Sequence, residues 1–421
     1  MKRPTKTVAL ADPRWAGHHP TYFKEFFASM VRLGARVIAL CPDPAGFRET
    51  AATVCDEFGL DVDEWIVTEE LKGTKGGVNL LGLEHDPAST VVRWWTLRRA
   101  MRRAEARSGW TAGFVFLAWL DSYLRFMPSA AIADRMLGRP WGGLYFRNHH
   151  LARCAEQGSV LNSLRRIAKG DFNLRADSCR VVGVLDERFT DELEALSGKP
   201  VLQFPDITDE TRLDGPSAFT CEVLEKAKGR KIIGVIGLER RKGFLTLLKA
   251  ALRAAEEGRP WYFVFGGTLS ETTLSDEELK WLREVDERVN VEGEFDNIHL
   301  DLNAGPVPDT GEFNSLISSF DVVFAAYEDF HGSSNALTKA ALFERPILAS
   351  RGECIEARVN EFGMGICMDQ GDVDQCMVGI EKLLERKDWN DQPLVPRFDA
   401  YRSRHSRERL DDVFREALAL E

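Results

Sequence analysis

The sequence predicts an α/β protein built from two Rossmann-like, doubly wound domains that face a cleft. Three observations lead to this prediction. The chain has 421 residues, which is more than one hydrophobic core usually supports. Short apolar segments alternate with helical patterns in both halves, as is typical of parallel sheets flanked by helices. A polar, turn-rich stretch at 206–216 separates the two halves.

The first half begins with a strand–loop–helix–strand pattern. Thr7–Ala11 is predicted to be a buried strand, and the loop that follows contains Gly17. A helix is expected from Pro20 to about Leu33, because Pro suits a first helical turn and apolar residues recur at helical spacing. The further predicted strands of this half are Arg36–Leu40, Phe114–Trp119, Trp141–Arg147, Cys179–Val184 and Val201–Phe204.

The second half restarts in the same way, with a predicted strand at Lys231–Ile236 and a strong helical pattern at Phe244–Glu257. Gly266 and Gly267 are interpreted as a tight turn. The further predicted strands are Trp261–Phe265, Val289–Val291, Val322–Ala326 and Pro346–Ala349. Ligands of open parallel sheets bind beyond the carboxyl ends of the strands, so the loops after these strands are where binding residues are sought.

Composition excludes several classes of protein. Apolar residues make up 44% of the chain, and 55 Lys and Arg stand against 66 Asp and Glu, a net charge of −11. This acidic balance argues against general affinity for nucleic acid. No apolar stretch is long enough to span a membrane, and no signal-peptide core follows the first residues. The eight cysteines form no metal-binding pattern, and we expect buried thiols in a cytoplasmic protein.

The segment Glu239–Gly243, which reads ERRKG, lies between a predicted strand and a predicted helix. Free backbone amides at a helix start already favour negative charge, and Arg241 and Lys242 would add cations suited to phosphate oxygens. A solvated basic turn is the alternative interpretation. The pattern therefore predicts an anion-binding site, but it does not exclude a solvated basic turn.

A second segment that could bind an anion at the start of a helix follows the predicted strand Val322–Ala326. His331 and Gly332 lead into the small polar residues Ser333, Ser334 and Asn335, where a helix is expected to begin. Small side chains let a phosphate approach backbone amides. Simple helix capping would account for one of these three residues but not for all of them.

Together the two segments resemble the C-terminal domain of GT-B glycosyltransferases, particularly glycosyltransferase family 4. Arg241, Lys242 and Gly243 match the family's Arg/Lys-Gly loop, and Asp321, the Ser333–Asn335 loop, Ala340 and Pro346 match its later strand–loop–helix block. The resemblance implies an acceptor-binding domain at 1–207 and a nucleotide-sugar donor domain at 208–395. It also implies a C-terminal helical segment at 396–421 that packs back on the first domain.

The chain departs from the family where two donor-binding glutamates are expected in the pattern E-x7-E. Counting back from Pro346, these positions hold His331 and Lys339. Lysine cannot accept a hydrogen bond. Either Lys339 pairs with phosphate in a His-x7-Lys variant, or Glu328 takes over part of the role, or catalysis has been lost. Lys339 could also be a plain surface residue of its helix.

Polar residues also follow the predicted strands of the first half. The Gly17 loop with His18 and His19 resembles the family's acceptor-side opening, and Asp121 follows another strand. After Trp141–Arg147 come His149 and His150; by resemblance His149 matches the histidine that contacts the donor sugar, with His150 as the second choice. A histidine can orient a hydroxyl or relay a proton, although a single histidine is more often structural.

Residues 91–110 form a basic aromatic stretch in which Trp94, Leu97, Met101 and Ala104 share one helical face. A basic amphipathic helix can contact an anionic membrane weakly, which would suit a lipid-linked acceptor. The alternative is a core helix with a solvated basic face.

The leading hypothesis is therefore a cytoplasmic glycosyltransferase that moves a sugar from a nucleotide diphosphate sugar to a saccharide or lipid-linked saccharide. The resemblance implies retention of configuration, no metal and no cofactor besides the donor. Asp61–Asp63 and Asp372–Asp374 spell DxD but lie outside the phosphate segments. The alternatives are a catalytically silent nucleotide-sugar-binding or scaffold protein and a GT-B-fold sugar epimerase.

Overall fold

A computed structural model describes residues 6–15, 17–72, 87–127, 129–147, 170–305, 307 and 311–419. The chain divides into two compact units, one comprising Met1–Ile207 with His405–Glu421 and the other Thr208–Arg404. Each unit contains one parallel sheet whose two faces are covered by helices. The architecture is therefore two α/β domains, as the alternation of apolar strands and helical patterns predicts.

The first domain has a seven-stranded sheet in the order β3-β2-β1-β4-β5-β6-β7 within the described residues. Its strands are β1 (Lys6–Ala11), β2 (Ala35–Cys41), β3 (Ile66–Glu70), β4 (Phe114–Leu117), β5 (Trp141–Tyr145), β6 (Cys179–Val184) and β7 (Val201–Gln203). Among the described residues, its helices are α1 (His19–Arg32), α2 (Pro44–Glu57), α3 (Val62–Trp65), α4 (Pro87–Ser108), α5 (Asp121–Leu124), α6 (Ala130–Leu137) and α7 (Thr190–Ser197).

The second domain has a six-stranded sheet in the order β10-β9-β8-β11-β12-β13, again within the described residues. Its strands are β8 (Lys231–Leu238), β9 (Trp261–Leu269), β10 (Ile298–Leu300), β11 (Val322–Ala325), β12 (Ile347–Ser350) and β13 (Gly365–Met368). Its helices are α8 (Ala218–Ala227), α9 (Phe244–Glu256), α10 (Asp276–Asn290), α11 (Gly311–Ser319), α12 (Asn335–Leu342), α13 (Glu353–Phe362), α14 (Val373–Leu384) and α15 (Phe398–Arg404).

Each sheet has a point where the strand order reverses. In the first domain the chain runs outward from β1 through β2 to β3 and then returns to β4 on the other side of β1. In the second domain the same reversal occurs between β8 and β11. Loops at such a switch point diverge and leave a crevice at the carboxyl ends of the strands, which is where open α/β sheets bind ligands.

The last helix, α16 (Arg407–Ala419), belongs to the first domain. Its Phe414 packs edge-on against the rings of Phe26 and Phe116. The Arg407 guanidinium donates to both carboxylate oxygens of the buried Glu25, at 2.8 and 2.9 Å. By contrast α15, which the sequence groups with the same C-terminal segment, belongs to the second domain, where the ring of its Tyr401 packs against Phe362.

Two predicted elements differ in the structure. Val289–Val291 is not a strand: Val289 lies on the buried face of α10 with Leu282 and Val285, and a capping box at Ser275 fixes the start of that helix. A short apolar run can have the same composition in a strand and in a helix. The helical spacing of apolar residues over the whole segment therefore distinguishes the two.

Gly266 and Gly267 do not form a tight turn either. The strand β9 continues through both glycines to Leu269, and Gly266 pairs in register with Ile236 of β8. The strands β3, β10 and β13 were not predicted.

The stretch at 91–110 forms most of helix α4, and its apolar face is used within the domain. Trp94, Leu97 and Met101 are buried, and the Trp94 indole donates to the carbonyl of Tyr123 at 2.8 Å. Arg103 and Arg107 both pair with Glu69. Across the described part of the chain, we find no helix that combines the length and the apolar character needed to cross a membrane.

Of the eight cysteines in the sequence, seven lie in described residues, and each is a free thiol. Six of these are buried and Cys221 is exposed. Burial raises the pKa of the Cys367 thiol to about 12, so this group stays protonated and unreactive near neutral pH.

Candidate functional site

The two loops at the switch point of the second domain are bonded to each other. After β8 the chain makes a turn of 3-10 helix at Arg240–Lys242, and after β11 it enters a loop that leads to α12. The backbone amide of Glu328 in the second loop donates to the carbonyl of Arg241 in the first at 2.9 Å. Arg240 approaches the Glu328 carboxylate at 3.5 Å. The two predicted phosphate segments therefore lie side by side.

Gly243 makes this approach possible. Its φ is +70°, and a Cβ at this position would lie 2.1 Å from the carbonyl oxygen of Ala326 at the end of β11. No other residue fits such a contact without moving the backbone. The glycine of the ERRKG motif therefore serves two purposes: it starts α9 and it lets the two loops touch.

Lys242 and Ser334 converge on one phenol. The Lys242 ammonium donates to the Tyr327 hydroxyl at 3.1 Å, and the Ser334 hydroxyl donates to the same oxygen at 3.0 Å. The Lys242 side chain also lies against Gly237, the φ of which is +99°. Among the described residues, Lys242 forms no ion pair, so a cation with only a neutral partner stands at the carboxyl edge of the sheet.

Ser334 is also the N-cap of α12, where its hydroxyl accepts from the amide of Ala336 at 3.2 Å. Helix capping therefore does account for Ser334, as the simpler interpretation states. Next to it, the side-chain oxygen of Asn335 is buried and has no hydrogen-bond partner among the described residues. Ser333 lies half-buried in the same loop.

Arg241 and His331 border this group. The Arg241 guanidinium donates to Glu239 at 2.5 Å and lies 5.6 Å from the centre of the Phe330 ring. His331 Nδ1 lies 2.9 Å from a carboxylate oxygen of Glu353, the first residue of α13. His331 thus connects the loop after β11 with the loop after β12, which the sequence did not indicate.

Lys339 does not join the group. Its side chain is 1% exposed, and its ammonium donates to the carbonyl of Asp209 at 2.8 Å and to the side-chain oxygen of Asn314 at 2.5 Å. Asn314 in turn donates to the carbonyls of Asp209 and Thr211. A buried ammonium must have such partners, so these bonds tie Lys339 to the packing of the domain and speak against both the phosphate role and a surface position.

At the switch point of the first domain, the residues brought together are acidic, aromatic and basic. The buried carboxylate of Asp12, directly after β1, lies 2.8 Å from Nδ1 of His19. Burial raises the pKa of Asp12, and the nearby His19 opposes that rise. The His19 ring lies 4.2 Å from the ring of Trp119, which stacks on Phe146 at 3.9 Å.

Asp121 is held by the end of the neighbouring strand. Its carboxylate accepts from the backbone amides of Phe146 at 2.9 Å and Arg147 at 3.1 Å. Burial raises the pKa of Asp121, against the opposing effect of the amide at Phe146. Gly17 and His18 are exposed, and His18 is the N-cap residue of α1, although its side chain makes no capping hydrogen bond. His149 and His150 lie outside the described residues.

Several residues of these two groups were not chosen from the sequence. Tyr327 directly follows a predicted strand, so its position was a usable signal, but a tyrosine there has no distinctive spacing. Asp12 also follows a strand and could have been found in the same way. Trp119 contacts His19, and Glu353 contacts His331, only because the fold brings distant segments together.

Several solved structures have the same architecture as this chain. A glycosyltransferase from Rickettsia africae shares 11% identity at a TM-score of 0.61, with 99% of this chain and 97% of that chain covered. HepE from Anabaena, solved with UDP, shares 12% identity at a TM-score of 0.61, covering 99% and 100%. Sucrose-phosphate synthase from Thermosynechococcus elongatus shares 15% identity at a TM-score of 0.62, covering 99% and 100%. The fold is GT-B.

The fold class predicted from the sequence is thereby confirmed. No protein-family model matches the chain, and no curated protein matches it either. At identities of 11–15%, the similarity to these proteins concerns the fold. The GT-B architecture therefore indicates where a ligand would bind, whereas the identity of the ligand depends on the side chains at that place.

Proposed function

We propose that this GT-B chain is a glycosyltransferase, similar to family 4, that transfers a sugar from a nucleotide diphosphate sugar to an acceptor. The observation that carries the proposal is the convergence of Lys242 and Ser334 on Tyr327 at the switch point of the second domain. This is the place in the sheet where nucleotide ligands of doubly wound domains bind.

The group has the properties that a diphosphate requires. Lys242 supplies a cation, and the starts of α9 and α12 supply backbone amides at the same edge of the sheet. Gly243 lets the start of α9 lie directly against the loop after β11, and Gly237 leaves room for the Lys242 side chain. Arg241 on the same turn adds a second positive charge, which Glu239 holds in place.

On this proposal the second domain stabilises the leaving group. As the bond between sugar and diphosphate breaks, negative charge grows on the diphosphate, and Lys242 with the helix-start amides meets it without rearranging. Retention of configuration and independence of a metal follow from the resemblance to family 4. Asp121, His149 and His150 remain the proposed catalytic residues, and Gly17, His18 and His19 the proposed acceptor-side loop. Glu328, His331, Ser333 and Asn335 remain proposed donor ligands.

The solved relatives support the choice of a nucleotide donor. HepE has been solved with UDP and with UDP-glucose. Uridine diphosphate sugars are therefore the first donors to test. The free thiols of the described residues suit a reducing compartment, so we place the activity in the cytoplasm. A weak peripheral membrane contact through residues 91–110 would rest on the basic face of α4, because its apolar face is buried.

One observation favours a second candidate, a catalytically silent nucleotide-sugar-binding protein. Lys339 occupies the position of a family glutamate and is buried in bonds to Asp209 and Asn314. The ribose contact that this glutamate makes in family 4 must then come from another residue, or be missing.

The test is a screen of UDP-, GDP- and ADP-sugars for thermal stabilisation, followed by an assay of nucleotide diphosphate release. We expect one nucleotide series to bind, and Lys242→Ala to weaken that binding by about 1.5–3 kcal/mol, the scale of a hydrogen bond to a charged group. Lys280→Ala removes an exposed lysine of the same domain and should leave the affinity unchanged.

The outcomes separate the candidates. Binding with release of nucleotide diphosphate supports the transferase, and binding without turnover across a broad acceptor panel supports the silent protein. If a folded Lys242→Ala protein binds the nucleotide as tightly as the unaltered chain, the donor site is not where we propose it.

A further inference from the structure

Two polar groups at the start of α12 are buried and have no hydrogen-bond partner among the described residues. One is the side-chain oxygen of Asn335, the first residue of that helix. The other is the hydroxyl proton of Tyr327, which lies two residues after β11 and is 4% exposed. Since buried polar groups almost always have partners, two exceptions at one place point to a ligand that supplies them.

Counting donors and acceptors shows why the Tyr327 proton has no partner. The phenol oxygen accepts from the Lys242 ammonium at 3.1 Å and from the Ser334 hydroxyl at 3.0 Å. The Ser334 oxygen in turn accepts from the amide of Ala336. A hydroxyl that accepts hydrogen bonds keeps its own proton to donate, and no acceptor for that proton lies among the residues that the structure describes. The Tyr327 proton is therefore available to a ligand.

Tyr327 presents this proton beside a cation, and its ring is held in place. The ring packs edge-on against Phe330 with 5.2 Å between centres, and the Lys242 ammonium lies 4.9 Å from the ring centre. Within the described part of the chain, neither Lys242 nor the Tyr327 hydroxyl is bonded to a carboxylate that would compete with an incoming anion. A cation and a neutral donor one hydrogen-bond length apart suit the oxygens of one phosphoryl group.

Asn335 requires the opposite kind of partner. Its buried oxygen accepts hydrogen bonds, whereas a phosphoryl group at neutral pH also offers acceptors, so a diphosphate by itself does not satisfy it. A hydroxyl group does, and sugars carry several hydroxyls. A ligand that satisfies both Tyr327 and Asn335 therefore joins a phosphoryl group to a sugar.

We propose that Tyr327 donates its hydroxyl proton to a phosphoryl oxygen and that Asn335 accepts from a sugar hydroxyl of the same ligand. That this ligand is a nucleotide diphosphate sugar rests on the proposed function. Asn335 lies one helical turn before Lys339, which is tied to Asp209 and Asn314 and cannot accept a hydrogen bond. The hydroxyl contact that Lys339 cannot make is thus assigned to Asn335.

Titration calorimetry at constant ionic strength tests the two contacts with two probes. Inorganic pyrophosphate carries phosphoryl groups without a sugar, and UDP-glucose, or the nucleotide sugar that the screen selects, carries both. Tyr327→Phe should weaken the binding of both probes about tenfold or more, since a hydrogen bond to a charged group is lost. Asn335→Ala should weaken the nucleotide sugar about threefold to tenfold, the scale of a neutral hydrogen bond, and leave pyrophosphate within about twofold.

The chain offers a matched control for each substitution. Tyr262→Phe removes a hydroxyl from a similarly buried ring at the amino end of β9, the opposite edge of the sheet. Asn360→Ala removes an exposed amide from α13. Neither should change the affinity for either probe.

Ser334→Ala keeps the Tyr327 hydroxyl and should weaken pyrophosphate binding less than Tyr327→Phe does. A larger loss in Ser334→Ala makes the serine the donor and overturns the assignment to Tyr327. Thermal melting confirms that each variant is folded, because Ser334 also caps α12.

Tyr327 also bonds Lys242, so a role through that lysine must be separated from direct donation. Tyr327→Phe is therefore repeated in a Lys242→Ala background, with pyrophosphate as the probe. A further loss of affinity supports direct donation. No further loss shows that Tyr327 only holds Lys242, and this overturns the proposed contact.

The outcomes also separate this inference from the proposed function. Unchanged nucleotide-sugar binding in both Tyr327→Phe and Asn335→Ala overturns the inference and leaves the transferase proposal intact. An equal loss of both probes in Asn335→Ala overturns the hydroxyl contact. If pyrophosphate binds through Tyr327 while no nucleotide sugar binds, the proposed function fails and the phosphoryl contact stands.

Discussion

The switch points of the two domains have the same topology but different chemistry. In the second domain the backbone carries the site: Gly243 packs against a strand carbonyl, and the lysine beside it has a neutral partner. In the first domain side chains carry it: the carboxylate of Asp12 holds His19, and the His19 ring packs against Trp119. The fold sets where a ligand binds, and the few residues after the strands set what it is.

The glycines after the first strand of each sheet show the difference most directly. Gly17 and Gly243 both have positive φ, +63° and +70°. Among the described residues, a Cβ on Gly17 would meet nothing within 4 Å, whereas one on Gly243 would lie 2.1 Å from the Ala326 carbonyl oxygen. The first loop is therefore open and the second is closed against its neighbour.

The largest effect is expected from Gly243→Ala. The left-handed conformation costs alanine about 1–2 kcal/mol, and the added Cβ forces the two loops apart at a further cost of about 1–3 kcal/mol. We expect the second domain to lose about 3 kcal/mol of unfolding free energy, measured by urea denaturation, together with nucleotide binding.

Gly17→Ala is the matched control for this variant, since it meets the same conformational cost without the clash. It should cost about 1 kcal/mol. Similar losses for the two variants would show that the close contact at Gly243 contributes little, and the contrast between the two loops would then be one of conformation alone.

A smaller effect is expected from Lys339→Met. This variant tests which residues of the second domain stabilise the fold and which bind the nucleotide. The Asp209 carbonyl and the Asn314 side chain would lose a buried donor, at a cost of about 2 kcal/mol in unfolding free energy. Nucleotide affinity of the folded variant, measured by titration calorimetry, should stay within about twofold of the unaltered chain.

Lys280→Met provides the comparison for Lys339→Met, because Lys280 is exposed in the same domain; its effect should stay within about 0.5 kcal/mol. If Lys339→Met weakens nucleotide binding without lowering the free energy of unfolding, Lys339 is a donor ligand and not a structural residue.

The smallest effect concerns the buried acid of the first domain. Burial raises the pKa of Asp12 above its ordinary value of 3.8, so the folded state holds this proton more tightly than the unfolded state. The resulting stability is present below pH 3.8 and is lost as the pH rises through the raised pKa. The amide that replaces the carboxyl group in Asp12→Asn does not titrate, so this variant is the reference.

The unfolding free energy of the unaltered chain relative to Asp12→Asn should therefore fall with rising pH, by about 1.4 kcal/mol for each unit of pKa shift. Urea denaturation at a series of acidic pH values, below the range where histidine titrates, measures it. A difference that grows with pH would mean that the His19 pair outweighs burial at Asp12.

Much of the second-domain group could be predicted from the sequence because its signals are local. A strand, a basic turn ending in glycine and a helix follow one another at Lys231–Glu256, so Arg241, Lys242 and Gly243 could be expected to lie at the carboxyl edge of the sheet, beside the loop that contains Ser334. The parallel sheet then brings the two loops together, because the carboxyl ends of parallel strands lie at one edge.

The remaining residues depend on long-range packing, which local patterns do not contain. Lys339 was a candidate ligand because of its spacing from Pro346, and only the fold shows that Asn314, 25 residues earlier, accepts its hydrogen bond. Likewise Asp12, Trp119 and Phe146 are far apart in the chain, and no sequence spacing connects them. The fold nevertheless brings Asp12 and Trp119 against His19 and stacks Phe146 on Trp119. Short strands such as Ile298–Leu300 carry too few residues for periodicity to identify.

The pairing of Glu25 with Arg407 has a consequence for biosynthesis. Because α16 supplies part of the first domain's core, that domain cannot finish folding until α16 has been translated, whereas all of Thr208–Arg404 emerges earlier from the ribosome. The domain that is translated first is thus completed last. Nascent chains that stop short of Arg407 would expose the phenylalanine cluster around Phe26, a surface for chaperones to cover.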